Sequence, residues 1–151
     1  MLKKKLGIEA IEKDWYSDIN LTNHFKISSS LTIPEGCEIV GRCAFWGCRG
    51  LRGVIIPESV QIIRHNAFWH CMELREVIIP DSVRQIEASA FKGCRKLREV
   101  IIPRSVEVID SDAFEDCYNA EIILRKPKSE FEYLANTAFE YCYNVKEEIR
   151  N

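Results

Sequence analysis

Cysteine is the first residue type in this chain that could carry chemistry, since thiolates bind metals, act as nucleophiles and form disulfides. Seven are present, and five of them follow an Ala-Phe pair at one fixed distance. A linear series one strand spacing apart supplies no tetrahedral cage for zinc, and disulfides between neighbours would leave one cysteine over. We predict small buried residues whose S–H groups donate to backbone carbonyls, with no metal and no cofactor. The five are Cys48, Cys71, Cys94, Cys117 and Cys142.

Two cysteines, Cys37 and Cys43, lie outside this series and are expected to be the more reactive thiols. A Cys-His dyad is suggested where His70 precedes Cys71. However, a thiol that points into a core cannot attack a substrate, and no third group is placed to orient the base. We therefore expect no nucleophilic catalysis there.

Two carboxylates form the other constellation that could be catalytic. Glu76 and Glu99 are one repeat apart, so on neighbouring strands they could lie within about 5 Å, the separation of a retaining glycosidase pair. Arginines run parallel to them one residue earlier, at Arg52, Arg75 and Arg98. A solvated row of balanced charge is the simpler interpretation, and we predict no catalytic residues and no enzyme activity.

A repeat of 23 residues positions all of these side chains. Proline recurs at that spacing, and Ala-Phe recurs with it until a last unit that is two residues longer. One unit buries too little apolar surface to offset the conformational entropy lost on folding, so neighbouring units must stack and cover one another. The prolines are Pro34, Pro57, Pro80 and Pro103; the phenylalanines are Phe45, Phe68, Phe91, Phe114 and Phe139.

Each unit contains one short β-strand, which is LREVII in the unit that begins at Leu74. Three β-branched residues precede a proline that cannot donate to a sheet ladder. Alternation points Val77 and Ile79 into the core and leaves Glu76 and Ile78 on the open face. We expect the strands to form one parallel sheet and the phenylalanines to stack into a column.

The pattern L-x-x-I-x-I-P-x-x-V-x-x-I-x-x-x-A-F-x-x-C resembles the BspA-type branch of the leucine-rich repeats, over about Leu31 to Cys142. The resemblance implies an α/β solenoid. Such a right-handed superhelix has a parallel sheet on its concave face and turns, helical or extended segments on its convex face. It further implies protein interaction, often adhesion or host contact at a cell surface, and no catalytic residues.

The repeat divides the chain into three regions. Residues 1–26 are expected to be an N-terminal cap, because a rough helical stripe occupies residues 2–16; a partner-binding helix is the alternative. Residues 27–145 hold five repeats, and residues 146–151 form a tail. Val145 and Ile149 begin a sixth strand that we expect to remain incomplete, and such an open edge favours self-association.

The open face of the sheet is the predicted binding surface. Isoleucine occupies its mid-strand position in four units, where the resembling family usually has polar residues. An exposed apolar stripe with a polar rim is typical of an interaction site; ordinary β-propensity on a half-exposed strand is the alternative. The predicted contact residues are Ile55, Ile78, Ile101, Ile123, Glu76, Glu99, Arg75 and Arg98.

Trp46 and Trp69 are a second predicted binding pair. They occupy the position after Ala-Phe, which holds charged residues in the later units and should therefore face water. Two neighbouring tryptophans there could form an aromatic platform for a protein loop or a sugar. Packing against the N-terminal cap is the alternative.

Composition excludes further classes of partner. A formal net charge of -2 argues against nucleic acid, whose phosphates favour a strongly basic face. No segment approaches the roughly 18 apolar residues that span a membrane, and charged residues interrupt any secretory signal. As it stands the chain is expected in the cytoplasm, or at the cell surface or secreted if a leader was removed.

These observations predict a non-catalytic module that binds an unidentified protein on its concave β-face. Self-assembly, through the C-terminal edge or the apolar stripe, is one alternative. Binding of a carbohydrate or another adhesion ligand is the other.

Overall fold

The computed structural model describes residues 30–149, which fold into successive coils of a solenoid. Each coil has one strand of three or four residues and a second strand of two residues. We call the odd-numbered strands the front face and the even-numbered strands the second sheet. In chain order the strands are β1 (Ser30–Thr32), β2 (Ile39–Val40), β3 (Gly53–Ile55), β4 (Ile62–Ile63), β5 (Glu76–Ile78), β6 (Gln85–Ile86), β7 (Glu99–Ile102), β8 (Val108–Ile109), β9 (Glu121–Leu124), β10 (Tyr133–Leu134) and β11 (Asn144–Glu147).

All strand pairs are parallel, as predicted, and most join residues 23 positions apart. The offset is 22 between β7 and β9, where Glu99 pairs with Glu121. It is 25 between β8 and β10, where Val108 pairs with Tyr133. The last complete coil is therefore shorter before its front strand and longer after it, where a 3₁₀ turn spans Lys128–Glu130.

The front face is made of two ladders, β1-β3-β5 and β7-β9-β11, whereas the second sheet runs unbroken from β2 to β10. Between β5 and β7 the N–H of Arg98 donates to the carbonyl of Arg75 at 3.2 Å, but no ladder continues from there. The predicted single front sheet is thus divided in the middle. The second sheet holds the coils together across this division.

The predicted column of phenylalanines is confirmed. Neighbouring rings stack with centroids 5.1 Å apart from Phe45 through Phe68 and Phe91 to Phe114, and Phe139 follows at 5.8 Å. The first four are buried. Because this rise is close to the spacing of neighbouring strands, coils that stack in register shield each ring with the next. This shielding contributes to the apolar surface buried at each coil boundary.

Four coils turn through left-handed residues at two positions and the last coil at one, and the sequence analysis identified neither position. Asn66 and His70 have φ angles of 58° and 57°. Left-handed backbone costs least for glycine and little for asparagine or aspartate, which explains Gly93 at the position before its cysteine. A Cβ on Gly93 would lie 3.1 Å from the His70 ring. The other left-handed residues of these turns are Cys43, Gly47, Ser89, Asp112, Asp116 and Tyr141.

Two predictions about the ends have different outcomes. The cap predicted for residues 1–26 lies outside the described residues, and between residues 30 and 149 the structure has no α-helix. The sixth front strand, expected to remain incomplete, is formed: β11 is as long as β7 and β9 and pairs along its full length with β9.

Candidate functional site

A groove of about 910 Å³ opens on the front face where the two ladders meet. Its walls come from β5, from β7 and from the turns that follow them. Most of the predicted contact residues lie in it, so the fold brings the centre of the predicted surface together. Those that line the groove are Ile78, Ile101, Glu76, Glu99, Arg75 and Arg98.

The groove has an apolar floor. Ile78 is 70% exposed and Ile101 is 36% exposed, and Ile55 extends the same line on β3 with 56% exposure. We call these three the isoleucine row. The alternating residues of the same strands, such as Val77, are buried, as the period of a strand requires. The row is therefore apolar surface that the fold itself leaves in water.

Ile123 does not continue the isoleucine row, and the prediction that it is exposed was wrong. Only 4% of it is exposed. Lys146 of β11 pairs beside it and thus points to the same face. The ammonium group of Lys146 binds Glu121 at 2.6 Å and Glu148 at 3.0 Å. From this placement we infer that the aliphatic stem of Lys146 covers Ile123.

Charged side chains border the isoleucine row on one side. Glu76, Glu99 and Arg98 are exposed, and Arg75 is half-buried. None of the four forms an ion pair with another residue in the described range. The predicted row of balanced charge is present, but its members remain available to a ligand.

Three further charged residues line the opposite wall and were not predicted: Asp81, Arg104 and Arg125. Arg104 forms a 3.5 Å ion pair with Glu130, and Arg125 forms a 3.0 Å pair with Glu148. The position after the strand's proline is acidic in the preceding units and basic at Arg104. This change of sign was readable in the sequence and could have marked the wall.

The Glu76 and Glu99 pair has a groove beside it, which the sequence analysis did not expect. Both side chains are exposed to solvent, whereas the acid of a glycosidase is set against apolar walls. Among the residues that the structure describes, no group of three or more His, Cys, Asp or Glu is placed to hold a metal ion. The geometry thus offers carboxylates for binding and lacks the enclosure that acid catalysis uses.

Four of the five repeated cysteines are buried, as predicted, and Cys142 is half-buried. The Cys71 thiol donates to the carbonyl of Phe45 at 3.0 Å, and each later thiol bonds to the phenylalanine one coil back. Burial raises the pKa of Cys48 to about 11 and also raises the pKa of Cys71. A protonated, enclosed thiol is a poor nucleophile, so the geometry argues against a dyad of Cys71 with His70.

The prediction for the two remaining thiols was wrong for one of them. Cys37 is 4% exposed, and its thiol donates to the carbonyl of Ile39 at 3.2 Å. Cys43 and Cys142 are half-buried. The neighbouring Cys117 thiol lowers the pKa of Cys142, and Cys142 is also the one repeated cysteine that is not fully buried. Both features favour reaction at Cys142 over the other members of the series.

Trp46 and Trp69 stack with ring centroids 5.2 Å apart and planes 10° apart. Trp46 is 40% exposed and Trp69 is half-buried, with the His70 ring at its edge, 5.0 Å away. Each tryptophan covers one face of the other, so no sugar can lie between them. The pair offers edges more than a flat platform, and its binding role stays a prediction.

Comparison with known proteins decides the class. The family model described as BspA type leucine rich repeat region matches residues 9–146 in six copies. The chain belongs to the BspA-type leucine-rich repeat family. Members of this family are generally scaffolds for protein interaction or adhesion and are typically not enzymes. No curated protein sequence matches the chain.

Solved structures similar to this BspA-type chain are leucine-rich repeat proteins of bacteria. One from Bacteroides ovatus is 34% identical, with a TM-score of 0.61, over 67% of this chain and 26% of that protein. A leucine-rich cell surface protein from Faecalibacterium prausnitzii is 27% identical, with a TM-score of 0.71, over 82% and 33%. One from T. pallidum is 29% identical, with a TM-score of 0.61, over 80% and 68%.

The chain thus spans about a quarter and a third of the length of the first two of these proteins. Within residues 30–149, no helix has the length and apolar character needed to cross a membrane.

Proposed function

We propose that this chain is a protein-interaction module whose partner binds the front face, at the groove between the two ladders. The observation that carries the proposal is the exposure of Ile78 and Ile101 side by side on the floor of that groove. Covering an exposed isoleucine contributes about 1.5–3 kcal/mol. A partner that covers the row therefore gains free energy that no contact within the described chain provides.

The charged border supplies the specificity. Glu76, Glu99, Arg75 and Arg98 stand beside the apolar floor without ion pairs of their own. Charged groups at the rim of an interface orient the partner and exclude partners with like charges more than they add affinity. Arg104 and Asp81, on the other wall, act in the same way.

The proposal includes finer features of the fold and location. In this proposal the front face is the concave side of a right-handed superhelix, and the second sheet lies toward its convex side. The cell surface is favoured over the cytoplasm because the similar F. prausnitzii protein is a cell surface protein. Fractionation of the source cells with an antibody to the chain decides between the two locations.

The double substitution Ile78→Asp with Ile101→Asp tests the function. The native chain, immobilised, should retain a partner from the source cell that the double variant loses, and the purified partner should then bind the native chain at least about 100-fold more tightly. Ile149→Asp is the matched control, since Ile149 is 47% exposed and lies outside the groove. A purified partner that binds the double variant as tightly as the native chain contradicts the proposal.

Self-assembly is a second candidate, favoured by the exposed tyrosines near β10 and β11: Tyr133, Tyr141 and Tyr143. Tyrosine is enriched at protein interfaces. Sedimentation of the native chain over a 100-fold range of concentration should then show a larger species, and Tyr141→Ser with Tyr143→Ser should remove it.

A further inference from the structure

This inference rests on the proposed function and concerns the partner. We propose that the segment bound by the isoleucine row is a short amphipathic α-helix that lies along the solenoid axis, across the front strands.

The direction follows from the layout of the front face. Each front strand contributes one member of the isoleucine row, so the apolar line runs from coil to coil and not along any strand. A segment laid parallel to β5 would meet Ile78 and then the charged groups on either side of it. A segment that crosses the strands can cover Ile55, Ile78 and Ile101 together.

The spacing of the coils favours a helix over an extended segment. Ile55 and Ile78 face each other on paired strands, which lie about 4.8 Å apart. The hydrogen bond from the N–H of Arg98 to the carbonyl of Arg75 keeps β7 at a similar distance from β5, so the three isoleucines extend over about 10 Å. Side chains at i, i+4 and i+7 of a helix extend over about 10.5 Å at roughly 1.5 Å per residue. Three side chains on one face of a strand extend over about 13 Å. The helix matches the row to within about half an ångström, whereas a strand misses it by about 3 Å.

The charges beside the row specify the flanks of the helix. Glu76 and Glu99 lie two residues before Ile78 and Ile101, exposed and without ion pairs to described residues. Their neighbours Arg75 and Arg98 lie one residue farther from the isoleucines, so the carboxylates are the first charges beside the row. A helix whose apolar stripe covers the isoleucines brings its next helical row over these carboxylates. Lysine or arginine in that row is complementary to them, so we assign the partner a basic flank.

Both ends of the row limit the length of the helix. Beyond Ile101 the equivalent Ile123 is covered by Lys146 and its ion pairs. Before Ile55 the equivalent position holds Thr32, which is polar and exposed. Three coils remain, which corresponds to about two helical turns.

Three synthetic peptides of 15 residues test this inference with the full chain. The first is a stapled helix with leucines at i, i+4 and i+7 and lysines on one flank. The second has the same composition with leucines at alternate positions and no staple. The third is the first helix with glutamate in place of lysine. Fluorescence anisotropy with each peptide gives its dissociation constant for the native chain.

We expect the first peptide to bind at least tenfold more tightly than either of the others. Its binding should be lost in the Ile78→Asp/Ile101→Asp variant and retained in Ile149→Asp. Glu76→Gln with Glu99→Gln should raise the dissociation constant of the first peptide about fivefold. The third peptide should then bind this variant as tightly as the first does.

Two results would overturn the helix. If the alternating peptide binds as tightly as the first, and is lost in the isoleucine double variant, the front face binds an extended segment; the proposed function then holds and this inference fails. If none of the peptides binds, the inference also fails, and the proposed function is decided separately by the purified cellular partner.

Discussion

The middle coils and the last coil are built on one repeat, yet they differ in which side is exposed. The front face is exposed in the middle coils, whereas the cysteine turn is the more exposed side of the last coil. At β5 and β7 the front is open, with Ile78 70% exposed, and the back is sealed around a fully buried Cys94. At β9 and β11 the front is covered over Ile123, while Cys142 on the back is half-buried. Position in the repeat therefore determines which side of the sheet a residue faces. Neighbours outside the repeat pattern determine whether that side meets water.

The largest test of this comparison places one charge at equivalent positions of the two regions. Ile123→Asp should lower the free energy of unfolding by about 3 kcal/mol. It removes a buried isoleucine and adds a carboxylate that must compete with Glu121 and Glu148 for the Lys146 ammonium group. Ile78→Asp should change it by less than about 0.5 kcal/mol, since the side chain stays in water. Urea denaturation followed by circular dichroism measures both. Equal losses would mean that Ile123 is not covered in solution.

The phenylalanine column provides the next test. Phe91→Ala removes a ring that is stacked on both sides and should cost about 3–5 kcal/mol. Phe139→Ala removes a half-buried ring stacked on one side only, and about half that loss is expected. The same denaturation experiment applies. A greater loss for Phe139 than for Phe91 would contradict the difference in burial.

Thiol labelling compares the accessibility of the cysteine turns in the middle coils and in the last coil. Ellman's reagent should modify Cys142 and Cys43 at least tenfold faster than Cys94, because both are only half-buried. In addition, burial raises the pKa of Cys94, whereas the neighbouring Cys117 thiol lowers that of Cys142. Peptide mapping after partial labelling identifies the sites. Fast reaction of several fully buried cysteines would show that the coils unfold locally and expose these thiols readily.

The smallest effect concerns the ion pairs that cover Ile123. A hydrogen bond from Lys146 lowers the pKa of Glu148 from its ordinary value of 4.5. Because the folded-state pKa is the lower one, its stabilisation is present above about pH 4.5 and is lost as the pH falls through the folded value. The stability difference between the native chain and Lys146→Met should thus be constant from pH 8 to pH 5 and shrink toward pH 3. Lys128→Met, at an exposed lysine without an ion pair to a described residue, is the control, and an equal pH profile there would contradict the assignment.

Much of the fold was predictable because each coil repeats the same local physics. The spacing of Phe68 and Phe91 was enough to place their rings in one column. The cysteines' position three residues later was enough to predict their burial and their hydrogen bonds to carbonyls. Alternation within the front strand placed Ile78 outward and Val77 inward.

The rest depended on residues that break the pattern. Ile123 follows the repeat, but Lys146, which covers it, lies in the strand that we expected to remain incomplete. Cys37 lies outside the repeated cysteines and is nevertheless buried. The division between β5 and β7 has no counterpart in the sequence, since Arg75 and Arg98, like Glu76 and Glu99, occupy matching positions in their units.

The hydrogen bonds from each buried thiol to the coil before it have a consequence for how the molecule ages. Peroxide that reached Cys94 would convert a neutral donor into a sulfinate, which carries charge and cannot donate to the carbonyl of Phe68. That boundary would lose its bond and gain a buried anion at once. Oxidative damage should therefore begin at the coil whose buried cysteine is exposed most often by local unfolding.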